Sequence, residues 1–128
     1  LNAADYLWIM QRQAVLELAE KGSCVIVGRC ADYILRENPD CLHVFIHADT
    51  KFRAERIVRL YGESEKSPEL RLKDKDARRS ANYKHFTGRE WGQCRNYHLS
   101  LDSGVIGADN CVDLIVRLAA GKMLLTEE

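Results

Sequence analysis

Arginine supplies most of the chemistry this sequence offers. Arg29 follows the apolar run CVIVG at 24–28, at a point where a core would not accept a charge. A strand that finishes on an arginine has reached the edge of its sheet. Further on, Arg53, Arg56 and Arg59 recur every three residues, so two of them can face one ligand. Arg71, Lys75 and Arg78 fall within about 60° of one another on a helical wheel, with Arg79 on their flank and Asn82 continuing the stripe. Cations that converge on one point repel unless an anion lies between them. At an effective dielectric near 20, each cation–anion pair at 4 Å is worth about 4 kcal/mol before desolvation. Guanidinium forks match phosphate oxygens two at a time, so the pattern predicts folding that gathers these cations around a polyphosphate. The plainer alternative is a solvated helix face steadied by the i,i+4 pair Asp74–Arg78.

Elements of regular structure must position these residues. Leu7, Met10, Ala14 and Leu18 recur at helical spacing, and the pattern predicts an amphipathic helix over 2–21, closed by Gly22. CVIVG is short, β-branched and uninterrupted, as in a parallel strand covered on both faces. A short helix follows at 31–36, and Asn38-Pro39-Asp40 turns the chain. LHVFIHA at 42–48 is a second strand, and Asp49 or Thr50 caps a helix at 51–61 that Gly62 ends. Ser67-Pro68 starts a helix running to about Phe86. YHLSL at 97–101 is a third strand, and Asp109 caps a last helix. Strands alternating with helices imply right-handed crossovers and a parallel α/β sheet, in which ligands bind beyond the carboxyl ends of the strands. Arg29, Asp49 and Asp102 all fall there.

The 128 residues amount to one domain, 46% hydrophobic and 30% charged, an ordinary globular balance. No apolar run approaches the ~18 residues that span a bilayer, and the start LNAADYLW has no basic leader. That start also lacks Met and reads as the interior of a longer protein. Five cysteines, odd in number and without a Cys-x-x-Cys pair, suit a reduced, cytoplasmic setting. The formal charge is zero, yet Lys51 to Arg95 holds 13 Lys/Arg against 7 Asp/Glu. This basic middle on an acidic remainder predicts one region made for an anion.

Other constellations are weaker. His43 and His47 are four apart but lie in a strand, where that spacing separates them by about 13 Å, so no metal site is expected. Ser23 and Ser103 lack a Gly-x-Ser-x-Gly elbow. Tyr83, Phe86 and Trp91, interleaved with Lys84, Arg89 and Arg95, could stack bases and make a small nucleic-acid-binding module. The preferred reading makes them packing residues, with Trp91 against the sheet edge and no nucleic-acid or membrane partner. The amphipathic first helix is suited to pairing with a second copy of the chain.

Taken together, GSCVIVGRCADYILRENPDCLHVFIHAD, RAERIVRLYGESEKSPE and KDARRSANYKHFTGREWG followed by NYHLSLDS resemble the cytidylate kinase-like family, a branch of the P-loop nucleoside monophosphate kinases. The resemblance implies a P-loop NTPase-like three-layer α/β/α fold with a five-stranded parallel sheet. It also implies phosphoryl transfer from ATP, with Mg²⁺, to CMP, dCMP or a related nucleotide. By that likeness Gly28 and Arg29 match the Gly-Arg that grips the acceptor phosphate. Arg56 and Arg59 match the basic helix leading into a lid at about 52–90, and Arg78 and Arg79 match the lid arginines that neutralise the moving phosphoryl. Arg71, Lys75 and Asp76 join the acceptor side. The chain departs from the family in two places. Cys30 stands where bacterial cytidylate kinases carry Asp, and no G-x-x-x-x-G-K-[ST] occurs in any register. In the family that loop follows a first strand lying between CVIVG and LHVFIHA, which here would precede residue 1. Without the cradle these residues bind an anion at most, which keeps a non-catalytic nucleotide-binding domain as the alternative.

Overall fold

The computed structural model describes residues 1–121. Helix α1 spans Ala3–Lys21 and starts with a reciprocal cap. Asn2 Oδ1 accepts from Asp5 N at 2.9 Å, and Asp5 Oδ2 accepts from Asn2 N at 3.1 Å. Its Val15 is buried against Ala31, Ile34 and Leu35, with Trp8, Leu16, Ala19, Ile26 and Cys41 packed around them. Ala31–Ile34 forms the short helix α2, and Asn38 then turns the chain by accepting from Asp40 N.

Strand β1, Val44–His47, and strand β2, Leu99–Asp102, pair in parallel with Val44 opposite Leu99 and His47 opposite Asp102. Between them run α3, Thr50–Tyr61, and α4, Pro68–Thr87. Asp49 caps α3 through Phe52 N at 2.8 Å, and Ser67 caps α4 through Leu70 N at 3.3 Å. Gly88, at φ 75°, ends α4 in the left-handed conformation that glycine adopts most easily. A single 3-10 turn, Cys94–Asn96, leads back to the sheet. Beyond β2 come α5, Ser103–Ile106, and α6, Ala108–Ala119. Asp109 is thus inside the first turn of α6, and Gly107 takes the capping position expected of it.

Aromatic rings join the layers. Trp8 of α1 stacks on Phe86 of α4 at 4.8 Å, and Phe45 of β1 meets the edge of Trp91 at 5.6 Å and Tyr97 at 5.0 Å. A methyl on Gly92 would come within 3.3 Å of the Phe45 ring, and at φ 83° any larger residue would also be strained.

The strand expected at 24–28 does not form. Residues 24–27 form neither helix nor strand, and Gly28 at φ 69° already begins a left-handed turn, so the run belongs to no sheet among the described residues. Ile26 packs inward, while Val25 and Val27 are 91% and 84% exposed. Covering on both faces, which the uninterrupted apolar run implied, does not occur. Among the described residues no backbone lies alongside to complete a ladder, and one edge of β1 is open. The result is a small α/β structure with a two-stranded parallel sheet.

Candidate functional site: a strained arginine turn and a basic hairpin

Gly28, Arg29 and Cys30 have φ of 69°, 60° and 54°, three left-handed residues in succession. Glycine accepts this readily. Arg29 and Cys30 pay about 1–2 kcal/mol each for it. The turn survives because it is tied from both sides. Ala31 N donates to Gly28 O at 3.1 Å, Ile34 N donates to Cys30 O at 3.0 Å, and Gln11 Nε2 of α1 donates to Arg29 O at 3.0 Å. All of these bonds restrain the backbone and leave the Arg29 side chain exposed without a carboxylate partner among the described residues. Strain that fixes a backbone while freeing a guanidinium is what a site for an incoming anion needs.

The aspartates beyond the strand ends are spoken for. Asp49 caps α3, and Asp102 Oδ1 accepts from Gly104 N at 3.0 Å and Val105 N at 3.2 Å. No cluster of three or more metal-ligating side chains exists among the described residues.

In the α3–α4 hairpin, Arg53 holds Asp76 with two hydrogen bonds, 2.7 and 2.8 Å, and Arg79 approaches the same carboxylate at 3.5 Å. The Arg53 hydrogen bonds, followed by nearby positive charge, hold the Asp76 carboxyl below the usual carboxylate range despite partial burial. Leu72, Asp76 and Tyr83 share one face of α4 within about 40°, and that face meets the rest of the protein. Arg71, Lys75 and Arg78 lie roughly 110° around the helix from it. Arg71 reaches back to Gly62 O at 2.9 Å and closes the hairpin, while Lys75 and Arg78 are exposed. On α3, Arg56 and Arg59 are likewise exposed, about 140–160° from buried Ala54.

Arg56, Arg59, Lys75 and Arg78 therefore stand exposed on the outer side of the hairpin and not on its packed face. The hairpin's inner face is occupied by Leu72 and by Asp76 with its arginine, which leaves the basic stripe outside. What the structure does bring together is Arg53, Asp76 and Arg79. The three-residue repeat already contained Arg53, but spacing alone could not tell the member that turns inward from the two that turn out.

Residues 2–105 match the cytidylate kinase-like family. The chain belongs to this family. A crystal structure of an uncharacterized protein from Eubacterium ventriosum ATCC 27560 is similar in sequence and fold, with 30% identity and a TM-score of 0.77. The match covers 89% of this chain and 63% of that one, so the chain spans less than two thirds of its structural relative. No curated protein matches it. Membership of the cytidylate kinase-like family supports a kinase-like, nucleotide-binding role. Cys30 stands where the likeness to bacterial cytidylate kinases places an aspartate. Burial, and secondarily the charge of Asp32, push its thiol up, so it stays protonated where a carboxylate would be ionised. No helix among the described residues is long and apolar enough to cross a membrane.

Proposed function

We propose that this chain is the acceptor-binding and lid portion of a nucleoside monophosphate kinase of the cytidylate type. The observation that carries the proposal is the strained Gly28–Cys30 turn, which fixes the backbone of Arg29 and leaves its guanidinium uncompensated. Arg29 grips the phosphate of the acceptor, CMP, dCMP or a close relative. Arg56, Arg59, Arg78 and Arg79 neutralise the phosphoryl group being moved, and Arg71 and Lys75 add to the field that draws the acceptor in. Such chemistry is positioning and charge compensation, which exposed guanidinium groups can supply. Asp76, fastened to Arg53, stiffens the hairpin over 52–90 as it closes over the nucleotides to exclude water.

ATP fits this arrangement because its phosphates would meet the outward cations of the hairpin. Mg²⁺ does not find a protein cage among the described residues and would be held mainly through the phosphates of ATP. We further propose that a strand bearing a Gly-rich phosphate cradle lies between 24–28 and the open edge of β1, giving the three-layer P-loop NTPase-like sheet. The outward Val25 and Val27 support this, since they have no cover of their own.

The test is ATP-dependent phosphorylation of a panel of nucleoside monophosphates by the full-length protein and its Arg78→Ala variant. Turnover of a pyrimidine monophosphate should fall about 100-fold in the variant, the range seen when one charge-stabilising donor is removed, with the melting temperature unchanged. Nucleotide binding without turnover in the unaltered protein would favour a non-catalytic nucleotide-binding domain instead.

A further inference from the structure

His43 and His98 immediately precede β1 and β2, at the amino ends of the strands, away from Asp49 and Asp102. Their rings stack at 5.1 Å, and His43 N donates to His98 Nδ1 at 2.9 Å. His43 Nε2 is buried with no hydrogen-bond partner. Beside these rings lies a cavity of about 190 Å³, lined also by Asp32, Tyr97 and three arginines, Arg36, Arg89 and Arg95.

Charge in this cavity is unbalanced. Arg36 and Arg89 lie over the same ring, that of Tyr33, at 3.9 and 5.1 Å from its centroid. Two guanidinium carbons so placed are no more than about 9 Å apart and repel. None of the three arginines forms an ion pair among the described residues. Asp32, the one carboxylate lining the cavity, accepts from the Tyr83 hydroxyl at 2.9 Å and forms no ion pair with the three arginines. One carboxylate against three cations leaves an excess of two positive charges around an open space.

Size narrows the occupant. The cavity is below the ~300 Å³ at which pockets begin to enclose drug-sized ligands, yet several times the ~30 Å³ share of one water. A tetrahedral oxyanion fits both the volume and the charge, and the arginine forks would meet its oxygens in pairs.

We propose that the Arg36–Arg89–Arg95 cavity is a phosphate-binding site at the amino ends of the strands, separate from the acceptor site at Arg29. The ligand is a doubly charged phosphate, either free or at the end of a larger molecule. The imidazole edge of His98 and the amide of Asn96 are placed to add donors.

The experiment uses the full-length Arg29→Ala variant, so that the proposed acceptor site does not contribute. Inorganic phosphate is titrated at constant ionic strength against chloride, following the ring signals of His43 and His98 by NMR and the melting temperature. Saturable movement of both ring signals is expected, with a rise on the order of 3–6 °C at tenfold saturation. Arg36→Ala with Arg95→Ala should weaken phosphate at least tenfold. Both side chains are exposed, so the melting temperature in chloride should hold. If the pair of substitutions disturbs folding, Arg95→Ala alone should still weaken phosphate about threefold. Equal affinity for phosphate and for a nucleoside 5′-monophosphate marks free phosphate as the ligand, and tighter nucleotide binding marks a phosphate terminus. Either result supports the site. Ring signals that do not respond to phosphate, or a response that survives the arginine substitutions, would overturn it.

Discussion

Replacing Arg53 with Ala tests whether the α3–α4 hairpin is held by its one bidentate ion pair. The two side chains are 29% and 30% exposed, and the oxygens sit 2.7 and 2.8 Å from the guanidinium nitrogens. Exposed pairs contribute about 0–1 kcal/mol, and breaking a fully buried pair costs roughly 3–5 kcal/mol. A pair about one-third exposed belongs between them. Arg79, 3.5 Å from the same carboxylate, softens the loss by giving Asp76 a second cation. The expected destabilisation is about 1–2 kcal/mol, or roughly 3–8 °C in melting temperature for a domain of this size. Its pH dependence has a definite sign. Asp76 has a depressed carboxyl in the folded protein because Arg53 bonds its ionised form. The stabilisation is therefore complete above the ordinary carboxylate value near 4 and is lost as pH falls through the lower folded value. Urea unfolding of the wild type, Arg53→Ala, Asp76→Ala and the double variant at pH 7 should give a coupling of about 1 kcal/mol or more. At the lowest pH where the fold persists, the coupling should shrink. A coupling near zero at neutral pH, or one that does not change on acidification, would refute the reasoning.

Cys30 occupies left-handed backbone at φ 54°, so Cys30→Gly should be tolerated or slightly stabilising. Cys30→Val, closer in size and polarity, should cost about 1 kcal/mol or more because a β-branched side chain resists that backbone, and thermal melts would rank the two. Tyr83 is 4% exposed and gives its hydroxyl to Asp32, so Tyr83→Phe should cost about 1–2 kcal/mol in chemical denaturation. Burial, then the Asp32 charge, push that hydroxyl up. A spectrophotometric titration should find Tyr83 ionising above the ordinary tyrosine range, and the shift should shrink in Asp32→Asn.

Much of this architecture can be read from the residues. Helical periodicity, Asp49, Ser67-Pro68 and the glycines at 62 and 88 place α1, α3 and α4 almost to the residue, because caps and stops act locally. Parallel pairing of β1 with β2 follows from the long helical connection between them. Strand status for 24–28 does not follow, because a strand requires a neighbour and composition cannot provide one. Site geometry divides the same way. The basic hairpin is evident from charge counts, but the inward turn of Arg53 toward Asp76 depends on how two helices pack. Three left-handed residues at 28–30 are also hidden, since only Gly28 announces such backbone, and Arg29 and Cys30 adopt it against their own preference. The excess of arginine around Asp32 is assembled from the turn after α2, the segment after α4 and the turn before β2, too far apart in sequence to be seen as one cluster.

In the proposed function Arg29 holds an acceptor phosphate. Calorimetric titration of the full-length protein and its Arg29→Ala variant with CMP and with cytidine isolates that contact, because the two ligands differ only by the phosphate. The variant should lose about 10- to 100-fold in affinity for CMP while cytidine binding is unchanged, the range of a lost charge-assisted hydrogen bond. CMP bound equally well by both proteins, or an equal loss for cytidine, would contradict it.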